Sequence, residues 1–314
     1  MKFIFTLIAM LAVMPVQAEI LDIDIALNNT RAACSGISEK LSPLKKMAGI
    51  NTGITGAGTA INTGATVVGI VKASKDKQAE KLEELLAKLQ EINDKAEKDP
   101  ISSEDAKAFL NDFEVELAKE SKNKAEYESE LQKLNKQSKN LGNWRTGLMA
   151  GGTVTNVAGA VIAGNNRVDK GLQEMIDDCN VAVRNLRDSM MQARIDGRST
   201  KNAENIISAC GEYGTADLSK IDNRATGAMW SSIVGATTGA VGTVTSATAN
   251  SDKTRDDNTD AGKQKEKNLN TASNVLAGAS TLASGAATVF NATQISAIKK
   301  VSTIADNCER ELAK

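Results

Sequence analysis

Acidic residues stand beside two of the cysteines: Asp177-Asp178 directly before Cys179, and Asp306 two positions before Cys308. Carboxylates next to a thiol could hold a metal or share a proton. On a helix, however, neighbouring residues point about 100° apart, so the two aspartates cannot close into a tight dyad. The pattern reads as a solvated helix face. The stretch RDDNTD, Arg255 to Asp260, carries the acids of a calcium loop but neither its Asp-x-Asp-x-Asp-Gly register nor its closing Glu. Cys34, Cys179, Cys210 and Cys308 show no Cys-x-x-Cys spacing of the zinc or redox kind. The chain contains no histidine, which removes the commonest general base and metal ligand together with any Ser-His or Cys-His nucleophile pair. No serine or lysine occupies a nucleophile setting. The expectation is a protein without catalytic residues, metal or cofactor.

An even number of cysteines acquires meaning from the N-terminus. Lys2 followed by the apolar run Phe3 to Val13 and the small residues of Val16-Gln17-Ala18 reads as a secretory signal over residues 1–18. The run is shorter than the roughly 20 residues that span a bilayer. The mature chain is expected to begin at Glu19 and to reside in the periplasm or outside the cell, where four cysteines form two disulfides. A formal net charge of −1 gives phosphate no basic face, so nucleic acid is not an expected partner. Aromatics at 3% are too few for a stacking platform.

The elements that carry these residues are unusual. Uncharged stretches rich in Gly, Ala, Ser and Thr occur four times, at Met47–Val71, Thr146–Gly164, Thr226–Asn250 and Asn268–Ile298. TGLMAGGTVTNVAGAV aligns without gaps to TGAMWSSIVGATTGAV, placing Gly147 on Gly227, Met149 on Met229 and Val154 on Val234. Cys179 ends KGLQEMIDDC and Cys308 ends KKVSTIADNC, with matching lysine, apolar and aspartate positions. The common order is cysteine, smooth run, charged segment, smooth run, cysteine. It reads as a tandem duplication, with a first unit over 19–184, a connector over 185–204 and a second unit over 205–314.

The charged middles differ. Leu82, Leu85, Leu89 and Ile92 give one helical stripe, Asp99-Pro100 ends it, and Ser102 with Asp105 opens another. A second stripe runs through Ala106, Phe109, Leu110, Phe113 and Leu117, and returns at Tyr127, Leu131 and Leu134. Residues 72–141 therefore read as an amphipathic, coiled-coil-like stalk, with a break near Gly142 or a longer loop to absorb its unequal arms. In the second unit DKTRDDNTDAGKQKEK reads as a loop.

Within the smooth runs small residues recur every fourth position, as at Gly147, Gly151, Thr155 and Gly159, and at Gly227, Ser231, Gly235 and Gly239. Gly147, Gly151, Gly159, Gly227, Gly235 and Gly239 are the expected helix-packing positions, a glycine-zipper face on which backbones approach closely. Glycine inside a helix costs roughly 1 kcal/mol relative to alanine, so each run needs a close partner, and the nearest is the other run of its own unit. Antiparallel packing of each pair brings Cys34 to Cys179 and Cys210 to Cys308. The fold class expected is all-α, built of two helical hairpins. The leading functional expectation is an exported, non-enzymatic scaffold or interaction protein that binds envelope proteins or other copies of itself through helix faces. The alternative is a membrane-active protein of the pore-forming or translocator style, whose small-residue hairpins meet or enter a membrane. Trp144, beside Arg145 at the mouth of a run, is placed as interfacial tryptophans are.

Overall fold

The computed structural model describes residues 21–98, 124–255 and 259–314. The expected signal sequence, the expected helix end at Asp99-Pro100 and the expected stripe from Ala106 to Leu117 lie outside them. All regular structure among the described residues is helical, as the composition requires: α1 Ile23–Cys34, α2 Ile37–Lys98, α3 Lys124–Asn165, α4 Lys170–Ile195, α5 Lys201–Cys210, a 3-10 turn Gly211–Thr215, α6 Ser219–Ala249, α7 Asp252–Arg255 and α8 Asp260–Leu312.

Compactness divides the chain across the two sequence halves. One unit gathers residues up to 45, 168–221 and 296–314, and the other gathers 46–167 and 222–295. The expected halves 19–184 and 205–314 each contribute to both.

The first unit is built conventionally. Asp22 caps α1 by accepting from the Asp24 amide at 2.9 Å, and Asp169 caps α4 by accepting from the Leu172 amide at 2.6 Å. Arg198 ties down the start of α1 through Asp22 at 2.6 Å and Asp24 at 2.8 Å. Its buried side chains are large and apolar, among them Ile37, Leu41, Leu172, Leu186, Ile206 and Ile298. Gly36, with φ of 81°, makes the turn between α1 and α2 that a side chain would strain. Two disulfides cross this core, Cys34–Cys179 with Cα atoms 4.7 Å apart and Cys210–Cys308 at 4.6 Å. The Sγ atoms of Cys34, Cys179 and Cys308 all lie within 4.8 Å of one another. Asp177 and Asp178 are exposed.

The second unit is an up-and-down bundle of α2, α3, α6 and α8. Its interior follows a heptad, with buried residues three and four apart in alternation. On α2 these are Asn51, Thr55, Gly58, Asn62, Ala65, Gly69 and Lys72; on α3, Ser138, Gly142, Arg145, Met149, Gly152, Asn156, Gly159 and Ala163. On α6 they are Ala225, Ala228, Ser232, Gly235, Gly239, Gly242 and Ser246; on α8, Ser273, Ala277, Ser280, Ser284, Ala287, Asn291 and Gln294.

This register corrects several sequence readings. A strict step of four winds around the helix, whereas a seam between helices needs an average of 3.5. Gly147 therefore faces open space with nothing within 4 Å of a built Cβ, while Gly152 faces Asn62. Gly151 meets only Ile61 at an ordinary 3.7 Å. Each run also packs beyond its own half of the sequence: Cβ positions on Gly159 approach both Thr55 and Ser232, and those on Gly239 approach both Thr153 and Ser280. The α3 helix passes through Gly142 unbroken, because that glycine admits the side chain of Asn250. The segment expected as a loop is helical over Asp252–Arg255 and again from Asp260. There its Ala, Gln, Lys and Glu are good helix formers, and Lys263 and Lys267 pair with Glu83 and Glu80 on α2 at 3.0 and 3.7 Å.

Candidate functional site

The bundle inverts the usual distribution of polarity. Its interior rows are Gly, Ala, Ser, Thr and Asn, and its large apolar side chains point outward. Val67, Ile70 and Val71 on α2, Val154, Val157 and Val161 on α3, Ile233, Val234, Val241 and Val244 on α6, and Val275, Leu282, Val289 and Phe290 on α8 are all exposed. Val154 is 68% exposed and Leu282 78%. An isolated exposed valine needs no explanation, but a collar of outward apolar side chains drawn from all four helices does.

The polar interior is organised by hydrogen bonds between helices. Asn62 on α2 donates to Ser284 on α8 at 2.9 Å, and Ser284 donates to Asn156 on α3 at 2.8 Å. Ser280 on α8 donates to the Gly235 carbonyl of α6 at 2.9 Å, so one layer joins all four helices. Nearer one end Asn51 donates to Asn291 at 2.9 Å, and Gln294 donates to the Asn166 carbonyl at 2.9 Å. Glycines make room for these side chains. A Cβ on Gly152 would lie 1.9 Å from Asn62 Oδ1, and one on Gly235 would lie 2.7 Å from Asn156 Nδ2.

The hydroxyls on the outer surface are satisfied locally. Exposed Thr63, Thr237, Thr245 and Thr248 each turn back to donate to the carbonyl four residues earlier, at 2.8 to 2.9 Å. A threonine bonded in this way has its hydroxyl donor satisfied within its own helix.

Charge gathers where the collar stops. At the far end from Asn51, buried Lys72 pairs with Asp76 at 2.6 Å and with Glu266 at 3.7 Å. Ser138 also donates to Asp76, and Arg255 reaches Glu266 at 3.8 Å. Burial, with Asp76 adding to it, holds the Glu266 carboxyl above its ordinary range against the pull of Lys72 and Arg255. The cleft at this end, about 780 Å³, is lined by charged groups including Asp76, Glu80, Lys136, Arg255 and Glu266. Arg145 is 1% exposed, and its Nε and Nη2 have no hydrogen-bond partner among the described residues.

Trp144 and Trp230 lie on the outside, 70% and 58% exposed, towards opposite ends of the collar. Three helical stretches, within Ile23–Glu84, Glu128–Ile195 and Asp260–Leu312, are long and apolar enough by length and composition to cross a membrane, with only 28% of each window buried. The α6 helix falls outside that set; its outward side carries Trp230, Ile233, Val234, Val241 and Val244 together with Thr237 and Thr248. Sequence reasoning missed this surface by treating the runs as uniformly smooth. The signal was the 4-3 spacing of Asn51, Thr55, Gly58 and Asn62, which puts polar residues on the seam.

Comparison with protein families, curated proteins and solved structures gives no match. Function has to be argued from the surface itself.

Proposed function

We propose that this chain is an exported, non-enzymatic membrane protein whose second unit crosses the bilayer as a four-helix bundle. This places the membrane-active alternative ahead of the scaffold reading. One observation carries it: large apolar side chains cover the outside of the bundle while Asn, Ser, Thr and Gly fill its inside. Water would favour the reverse arrangement. In lipid the outward valines lie against acyl chains, and small residues with interhelical hydrogen bonds hold the helices together.

The dimensions agree. Uncharged stretches bounded by Lys46 and Lys72, Arg145 and Arg167, Arg224 and Asp252, and Lys267 and Lys299 all have at least the roughly 20 residues that a hydrocarbon core of about 30 Å requires. Trp144 and Trp230 sit where interfacial tryptophans anchor a bundle. The disulfides fit an oxidising compartment. A tandem duplication of one hairpin accounts for four helices that share an interior pattern, and the charged ends of α2, up to Lys98, and of α3, from Lys124, extend the first hairpin beyond the collar.

Flotation of purified protein with phosphatidylcholine vesicles tests the reading. The wild type should float and resist carbonate extraction, and Val154→Asn with Val161→Asn should weaken both while leaving the helical circular dichroism unchanged. A wild type that stays at the bottom and forms concentration-dependent oligomers would assign the collar to contacts between copies and overturn the membrane reading.

A further inference from the structure

The interior of the bundle is polar along nearly its whole length and interrupted once. At one level the four helices contribute Ala65, Met149, Ala277 and Gly242, and the Ser273 hydroxyl beside them donates to the Gly242 carbonyl at 3.1 Å and lies 3.7 Å from Met149 Sδ. Ala65, Met149 and Ala277 form a buried apolar cluster against which Leu148 packs. The Met149 methyl group occupies the space left by Gly242, 2.1 Å from where a Cβ would stand.

Orphaned polar atoms lie on both sides of this plug. Towards the charged end are Arg145 Nε and Nη2 and Asn274 Oδ1; towards the other end are Ser232 Oγ, Asn51 Oδ1 and Asn166 Oδ1. Each is buried without a protein hydrogen-bond partner among the described residues. A dry orphan costs about 1 to 3 kcal/mol, and groups of this kind are ordinarily met by internal water. A bundle that sets lipid outside and wettable atoms along its axis has the composition of a pathway, and an apolar constriction in such a pathway closes it by dewetting.

The interior charge sets the sign. Lys72, Arg145 and Arg255 face two carboxylates, Asp76 and Glu266, and Arg145 is the cation with unpartnered donors. Beyond the plug, the inward rows down to Asn51, Asn166 and Gln294 contain no ionisable side chain.

We propose that the bundle axis is a conduction route for small inorganic anions, closed in this structure at the Met149 layer and made anion-selective by Arg145. The inference rests on the membrane reading above, and the two separate experimentally. Full-length protein is reconstituted in planar bilayers and in vesicles under a potassium chloride gradient. Met149→Ser hydrates the plug and should raise conductance about tenfold over wild type, equivalent to roughly 1.4 kcal/mol off the barrier. The reversal potential should lie on the chloride side, and adding Arg145→Gln should move it towards zero. Ala65→Ser and Ala277→Ser place a hydroxyl in the same layer at nearly constant volume, so the test survives misfolding of the methionine variant. Serine variants that float and remain helical yet conduct no better than wild type would overturn the route and leave the membrane reading intact. Conductance with cation preference would overturn the role given to Arg145. Wild type that fails to float would remove both.

Discussion

At the residue scale the bundle depends on which glycines are truly enclosed. Gly152 and Gly147 lie five positions apart on α3 and make opposite predictions. A methyl on Gly152 meets Asn62 Oδ1, Cγ and Nδ2 at 1.9, 2.6 and 3.0 Å. Asn62 cannot swing away without giving up its bond to Ser284. Gly152→Ala should therefore destabilise by about 1 to 3 kcal/mol, as overpacking does. Gly147→Ala fills open space and restricts the unfolded chain, so it should stabilise by about 0.4 to 1 kcal/mol. Chemical denaturation followed by circular dichroism measures both, and equal effects would refute the assigned interior row. Glu266 supplies a second prediction. Its carboxyl is held above the ordinary range, so the fold prefers it protonated, and its contribution favours folding as pH falls through that raised value. Glu266→Gln should be more heat-stable than wild type at pH 7, with the gap closing on acidification. A gap that widens instead would mean that the pairs with Lys72 and Arg255 outweigh burial.

At the scale of elements, helicity was legible and orientation was not. Four uncharged runs bounded by charge announce helices, and antiparallel packing of each pair of runs favours the cysteine pairing seen in the structure. Which side of each helix faces inward could not be read from size, because the usual contrast is reversed: Val157 and Val161 lie outside while Asn156 and Gly159 lie inside. The candidate surface became visible only once four helices were set together, since an outward valine row is indistinguishable in sequence from a buried one. Arg145 and Lys72 looked like the charged borders of smooth runs, yet both side chains turn into the bundle. The disulfides make their own prediction at this scale. They close chain separations of 145 and 98 residues, and loops of that size are worth about 5 kcal/mol in the chain-entropy model. Replacing Cys34 and Cys179 by serine should lower the unfolding midpoint markedly, read by denaturation with the other pair intact; an unchanged midpoint would show that the apolar packing of the first unit suffices.

At the scale of the whole molecule, two kinds of core coexist in one chain. The first unit hides Leu, Ile and Val. The second hides Asn, Ser and Gly and, on the reading proposed here, is completed by lipid. Vesicles should accordingly raise the thermal midpoint of the full chain, because they cover the collar in the native state, and stabilisation by a surrounding that binds only the folded form follows mass action. Circular dichroism melts with and without vesicles decide this, and lipid that leaves the melt unchanged would count against the collar as a lipid-facing surface.

The cysteine connectivity carries a consequence for biogenesis. Along the chain the pairs are consecutive, first with second and third with fourth. A chain threaded N-terminus first through an export channel presents Cys34 and then Cys179 before the later two emerge. An oxidase that joins thiols in order of arrival thus makes the native set directly. In the native unit the sulfurs of Cys34, Cys179 and Cys308 lie within 4.8 Å of one another, so a chain in which Cys34 had been captured by Cys308 would need little movement to correct itself. A free Cys179 thiolate near the mispaired bond can attack the Cys34 sulfur, forming Cys34–Cys179 and releasing the Cys308 thiolate, which the oxidase then joins to Cys210. Maturation of this protein should proceed without a dedicated disulfide isomerase, and the yield of correctly bridged protein from cells lacking one should match that from cells that have it.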